Sequence, residues 1–121
     1  MFRNLIMVGL GGAAGSMLRW FISQWALKWQ SAGFPWGTFI VNFMGCLLIG
    51  IVIQATDKAG VSGVWRLLLA TGFCGGFTTF SAFAVENLKM IESGNYQGFL
   101  IYTFISIAAG IAGVFAGIRL G

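Results

Sequence analysis

The sequence predicts an all-α membrane protein with four transmembrane helices per chain, the third of them broken near its middle. Two observations lead there. Of the 121 residues 58% are hydrophobic and 8% charged, against roughly 25% charged in a soluble domain, and the few charged side chains divide the chain into four apolar stretches. The third stretch carries Gly72-Phe73-Cys74-Gly75-Gly76-Phe77-Thr78-Thr79-Phe80-Ser81-Ala82-Phe83, a composition that an uninterrupted membrane helix does not favour. In hydrocarbon an unsatisfied peptide group costs several kcal/mol, so non-helical backbone survives only where protein buries it or where it lines a cavity.

The predicted helices are residues 5–27, 36–55, 65–88 and 96–118, each long enough for the roughly 20 residues that cross a ~30 Å hydrocarbon core. The connectors, residues 30–35, 56–63 and 92–95, are short and hold turn or polar residues. None has room for a soluble domain, so residues 1–121 read as a single four-helix transmembrane domain. Trp20, Trp25, Trp29, Trp36 and Trp65 cluster near segment ends, as an interfacial aromatic belt requires. A cleaved leader is the competing reading of the N-terminus, since Arg3 precedes an apolar stretch with small residues from Ala13 to Ser16. The stretch continues past those residues to spanning length.

Several function classes are disfavoured. The chain has no histidine and three carboxylates, so the side chains of acid/base and nucleophilic catalysis are largely missing and no enzyme is expected. Cys46 and Cys74 lie inside apolar segments without metal-ligand spacing and read as small hydrophobes. Membrane lipid is the expected surrounding, and nucleic acid is not an expected partner. Gly9-Leu10-Gly11-Gly12-Ala13-Ala14 fits the dinucleotide-turn pattern, but no acidic residue occurs before Asp57, so the match is a by-product of a glycine-rich helix.

Four spans place Arg3, Lys58, Arg66 and Arg119 on one side and Arg19, Lys28 and Lys89 on the other. Orientation follows Lys/Arg excess, and four against three is almost none. Dual topology is one reading, and a singly oriented monomer is the other. Four helices are few to enclose a pore, and no internal repeat supplies an inverted half. An antiparallel homodimer would meet both needs.

Small residues recur at helical spacing. Gly11, Gly15 and Arg19 share a face of the first segment, Thr38, Asn42 and Gly45 one of the second, and Ser106, Gly110, Gly113 and Gly117 one of the fourth. Such stripes let membrane helices approach closely. Arg19 snorkels to the interface, pairs, or faces an aqueous vestibule. Asn42 either bonds between helices or serves a ligand, and Phe80 and Phe83 either pack or present their positive ring edges. With Thr78, Thr79 and Ser81 beside them, those edges suit an anion, while carbonyls freed by the break suit a hard cation. Glu86, one turn beyond Phe83, sits in interfacial water or meets the end of such a path.

Gly37-Thr38-Phe39-Ile40-Val41-Asn42, the Gly11/Gly12/Gly15/Arg19 pattern and the run from Gly72 to Ser81 together resemble the Fluc (CrcB) fluoride channel family. The similarity covers essentially the whole chain, including Glu86 and Tyr102. It implies a fluoride-selective passive channel that exports fluoride across the bacterial cytoplasmic (inner) membrane. The channel would be a dual-topology antiparallel homodimer with two pores and a central sodium ion. By the family pattern Phe80 and Phe83 line the pore, Asn42 donates to fluoride, and Ser81, Tyr102 and Ser106 face its polar side. Arg19 lies near a vestibule, with Glu86 toward an aqueous end, and backbone carbonyls matching Gly75 and Thr78 from both subunits hold the structural Na+. The chain departs from the family at Ala82, where threonine is frequent, and so lacks one hydroxyl there.

Two other classes stand beside this one. A small dual-topology proton-coupled transporter needs an ionisable group at mid-membrane, and the first segment has no carboxylate. A non-conducting membrane partner subunit is the third class.

Overall fold

The sequence places a capping residue or a glycine at most helix ends. A computed structural model describes residues 1–61 and 63–121, without the side chains of residues 30–32. Ser62, expected in the second connector, lies outside the described residues. Helix α1 (Phe2–Ala26) runs into a 3-10 turn (Leu27–Ala32) and is followed by α2 (Trp36–Ala59). Helix α3 covers residues 63–77, α4 is Phe80–Glu92 and α5 is Tyr96–Leu120. Gly60 ends α2 in the left-handed region at φ 60°, which glycine adopts without a Cβ penalty. Asn95 caps α5, its side-chain oxygen accepting from the Gly98 N–H at 3.0 Å.

Four helical spans, Phe2–Trp29, Trp36–Ala59, Gly63–Glu92 and Tyr96–Leu120, are long and apolar enough to cross a membrane. The fold is all-helical and of the multi-pass membrane type. The helices run past the apolar limits read from the sequence. Helix α2 takes in Thr56, Asp57 and Lys58, which were expected in a connector, because the Thr56 hydroxyl donates to the Val52 carbonyl at 2.7 Å and needs no other partner.

Two glycine seams hold the bundle. Helix α1 packs on α3, where a Cβ on Gly11 would strike the Leu68 carbonyl and one on Gly76 would come 3.0 Å from Gly12 Cα. Helix α2 packs on α5, with Gly50 and Gly117 so close that a Cβ on either would lie 3.0 Å from the other's Cα. Membrane helices gain dispersion energy by such close backbone approach, since lipid tails are as apolar as their side chains. Gly72 and Gly76 therefore belong to a packing seam, although the sequence places them in the expected break. Gly75 alone of the three faces open space.

The chain threads up and down. Arg3 and Arg66 line one cavity, Arg66 pairs with Asp57 at 2.6 Å, and the Lys58 amine donates to the Gly121 carbonyl at 3.0 Å. The N-terminus, the α2–α3 connector and the C-terminus thus share one end. Gly33, Phe34, Lys89 and Asn95 meet at the other.

The third span departs twice from regular α-helix. Leu67–Cys74 is wound as a π-helix, a rare form that inserts an extra residue into the helical phase. Thr78 (φ −86°, ψ 159°) and Thr79 (φ −148°, ψ 120°) are extended. The break expected somewhere within Gly72–Phe83 is therefore confined to two residues, with helix resuming at Phe80.

Candidate functional site

The break is built by one amide. The Thr79 N–H donates to Asn42 Oδ1 at 2.7 Å and Asn42 Nδ2 donates to the Thr79 carbonyl at 3.1 Å. Asn42 thus replaces, from α2, the helical partners that extended backbone gives up, which is what permits a break at this depth. Its amide has two donors, so one hydrogen remains beyond the bond to Thr79. The threonine hydroxyls are used locally. Thr78 Oγ1 donates to the Cys74 carbonyl at 2.9 Å, and Thr79 Oγ1 caps α4 by accepting from the Ala82 N–H at 3.2 Å.

The two helix ends at the break differ in sign. The C-terminus of α3 presents carbonyls with partial negative charge, and the N-terminus of α4 presents amides with partial positive charge. An anion is favoured beside Phe80 and a cation beside residues 75–78.

On the α4 side lies an open groove of about 340 Å³ walled by Asn42, Thr78, Thr79, Phe80, Phe83 and Ser106, with Cys46, Ile107 and Gly110. It has no charged wall. The Ser106 hydroxyl is buried and, among the described residues, has no hydrogen-bond partner, an arrangement that a ligand or water in the groove would satisfy. The Phe80 ring is 78% exposed and so contributes little to the packing of the chain itself. It stands 5.8 Å from the Phe83 ring, which stands 5.1 Å from Tyr102, itself 5.3 Å from Phe34. This aromatic file leads from the break toward the end of the bundle.

At the far end of the file sits Glu86. Thr38 Oγ1 donates to its Oε2 at 2.6 Å and the Tyr102 hydroxyl donates to its Oε1 at 2.8 Å. The carboxylate is thereby tied to α2 and α5 by uncharged donors, and it also lines a second groove of about 530 Å³ with Phe34, Lys89 and Ser93. Tyr102 is fully buried.

The other residues singled out by the sequence are dispersed. Ser81 is exposed and its Oγ is 3.3 Å from Thr79 Oγ1, outside the groove walls. Arg19 lies on the Gly11/Gly15 face and its Nε donates to the Gly76 carbonyl at 2.9 Å. That bond gives the intramembrane charge a carbonyl partner on α3.

For a metal, the described residues contain no cluster of three or more histidine, cysteine or carboxylate side chains. Backbone oxygen is the available donor. Gly75 and Thr78 line a groove of about 310 Å³ with Gly45, Ile49 and Thr71. Gly75 is exposed and Thr78 is extended at this groove, and carbonyl oxygen is the donor type that a hard cation takes.

The described geometry joins a broken helix, a polar amide at the break and an aromatic groove. A family model described as "CrcB-like protein, Camphor Resistance (CrcB)" matches residues 6–118. The chain belongs to the CrcB family. Among curated relatives of this CrcB chain, the protein named fluoride-specific ion channel FluC from Phocaeicola vulgatus is 42% identical over 116 residues, covering 96% of each chain. The protein of that name from Rhizobium etli is 46% identical over 116 residues, covering 95% of this chain and 93% of its own. That from Oceanobacillus iheyensis is 44% identical over 119 residues, covering 98% and 91%.

Sequence reasoning alone did not find the Thr38–Glu86–Tyr102 cluster or the Asn42–Thr79 pair. The one signal available was that each polar side chain stands alone in an apolar segment and so needs a partner from another helix.

Proposed function

We propose that the chain is a passive fluoride channel of the bacterial cytoplasmic membrane. The observation that carries this reading is the groove at the break, where the Phe80 and Phe83 rings, the Asn42 amide and the unpartnered Ser106 hydroxyl share one uncharged wall. The names of the relatives supply the ion.

Fluoride is small and strongly hydrated, so a path for it must replace water with hydrogen-bond donors and positive edges while keeping no fixed cation that would trap it. Phenyl edges and the amide hydrogen of Asn42 meet that requirement. The α4 N-terminus adds partial positive charge at mid-membrane. In this reading the anion passes along the Phe80–Phe83 file, with Ser106, Tyr102 and the more distant Ser81 on its polar side. Glu86 stands at an aqueous mouth shared with Lys89, and Arg19 lies beside the vestibule at the opposite flank of α3.

The open face at Gly75 and the near balance of basic residues support an antiparallel pair of identical chains. The Gly75 and Thr78 carbonyls of both copies would then hold a sodium ion. When bound, that ion supplies a fixed positive charge between the copies and ties them together.

The test is fluoride efflux from sodium-loaded proteoliposomes, followed by electrode and compared with chloride. Efflux of fluoride well above chloride is expected. Folded protein that passes no fluoride overturns the reading.

A further inference from the structure

A cavity lies away from the break, at the end that gathers Arg3 and Arg66. It measures about 630 Å³ and sits between the start of α1, the C-terminal part of α2 and the first turns of α3. It is lined by Arg3, Asn4 and Arg66 together with apolar Ile53, Leu67 and Ala70. Both arginines are exposed. The immediate surroundings are those of a membrane interface, with Phe2 81% exposed, Leu5 64% and Trp65 55%.

We propose that this pocket binds the phosphate headgroup of an anionic phospholipid. Two arginines and an asparagine line one cavity, residue types whose donors suit phosphate oxygens. Basic pockets between membrane helices take such headgroups. The apolar lining of the cavity itself, Ile53, Leu67 and Ala70, gives the start of an acyl chain a surface beside the arginines, which a free anion would not need. Asp57 is the counterweight. It holds Arg66 Nη1 at 2.6 Å and, at 55% exposure, it is positioned to compete with phosphate for that guanidinium.

The competition makes the assignment testable without any transport measurement. The purified full chain is titrated with phosphatidylglycerol, phosphatidylcholine or inorganic phosphate, and retained ligand is read by native mass spectrometry. Phosphatidylglycerol is expected to be retained over phosphatidylcholine. The Arg3→Gln/Arg66→Gln variant should weaken that retention by roughly fivefold per arginine, and Asp57→Asn should strengthen it. Arg3→Gln alone, a change at an exposed position, carries the test should the double variant misfold. Equal retention of the two lipids, or retention unchanged by the loss of Arg3, overturns the proposal. Displacement of phosphatidylglycerol by inorganic phosphate alone overturns it too, in favour of a free-anion site.

Discussion

Asn42 and Thr79 exchange two hydrogen bonds between α2 and the break that separates α3 from α4, so that a side-chain amide completes a main chain that has left its helix. The pairing ties the conformation of the break to one residue of a different span. Replacing Asn42 with alanine leaves the Thr79 N–H and carbonyl without partners. The expected loss is about 1–3 kcal/mol, visible as earlier thermal unfolding in detergent, while Asn42→Gln should disturb the register without removing the group. A wild-type unfolding curve for Asn42→Ala would show that the amide does not support the break.

Phe80 separates stability from transport. Its ring is 78% exposed, so Phe80→Ile should leave the unfolding temperature nearly unchanged. An aromatic edge worth ~1 kcal/mol corresponds to about fivefold in rate, and fluoride efflux should fall by at least that much. Equal efflux from wild type and variant would remove the ring edge from the conduction path.

Glu86 and Tyr102 should be energetically coupled. Tyr102→Phe removes one of the two donors to the carboxylate, and Glu86→Gln weakens both. A double-mutant cycle on unfolding free energies should give a coupling of about 1 kcal/mol, since Gln keeps an acceptor and forfeits only part of a hydrogen bond worth ~1.5–3 kcal/mol to a charged group. Additive effects would mean that the 2.8 Å contact contributes little.

Gly75 and Gly76 near the break, and Gly11 on the facing seam of α1, should respond differently to one methyl group. Gly76→Ala brings a Cβ against Gly12 and should destabilise the chain, as should Gly11→Ala against Leu68. Gly75→Ala meets no atom of its own chain within 4 Å, so helicity should survive. On the proposed assembly that methyl faces the second copy, and the dimer fraction measured by single-molecule photobleaching should fall. Helix loss in Gly75→Ala, or an unchanged dimer fraction, would count against that placement.

Replacing sodium inside and outside the liposomes by N-methylglucamine should reduce efflux if a cation joins the two copies, and restoring sodium should recover it. Insensitivity to the exchange would remove the ion from the proposal.

How much of this was legible beforehand follows from what each feature depends on. The four spans rest on hydrophobic length, which is local, and so does the existence of a break between Gly72 and Phe83. The seam glycines on α1 and α5 repeat at helical spacing and could be seen as stripes. Gly72 and Gly76 could not be separated from Gly75, because only the position of α1 tells a packing glycine from an open one. The same holds for polar partners. Glu86 meets Thr38 and Tyr102 from spans that are 48 and 16 residues away in sequence, and no periodicity encodes that meeting. A charge at Arg19 snorkels, pairs or faces water, and its spacing does not name the partner that the structure gives its Nε, the Gly76 carbonyl.

The π-helical stretch Leu67–Cys74 acts as a phase shifter. An extra residue per turn rotates everything downstream by roughly 100° relative to a regular helix. The α1 contact at Gly76, the open point at Gly75 and the direction in which Thr79 meets Asn42 all lie beyond that stretch. A single deletion among residues 67–71 would leave composition and length almost unchanged, yet it would turn the break to face a different neighbour. The angular position of the break is therefore fixed by a residue count upstream of it, as well as by the residues that line it.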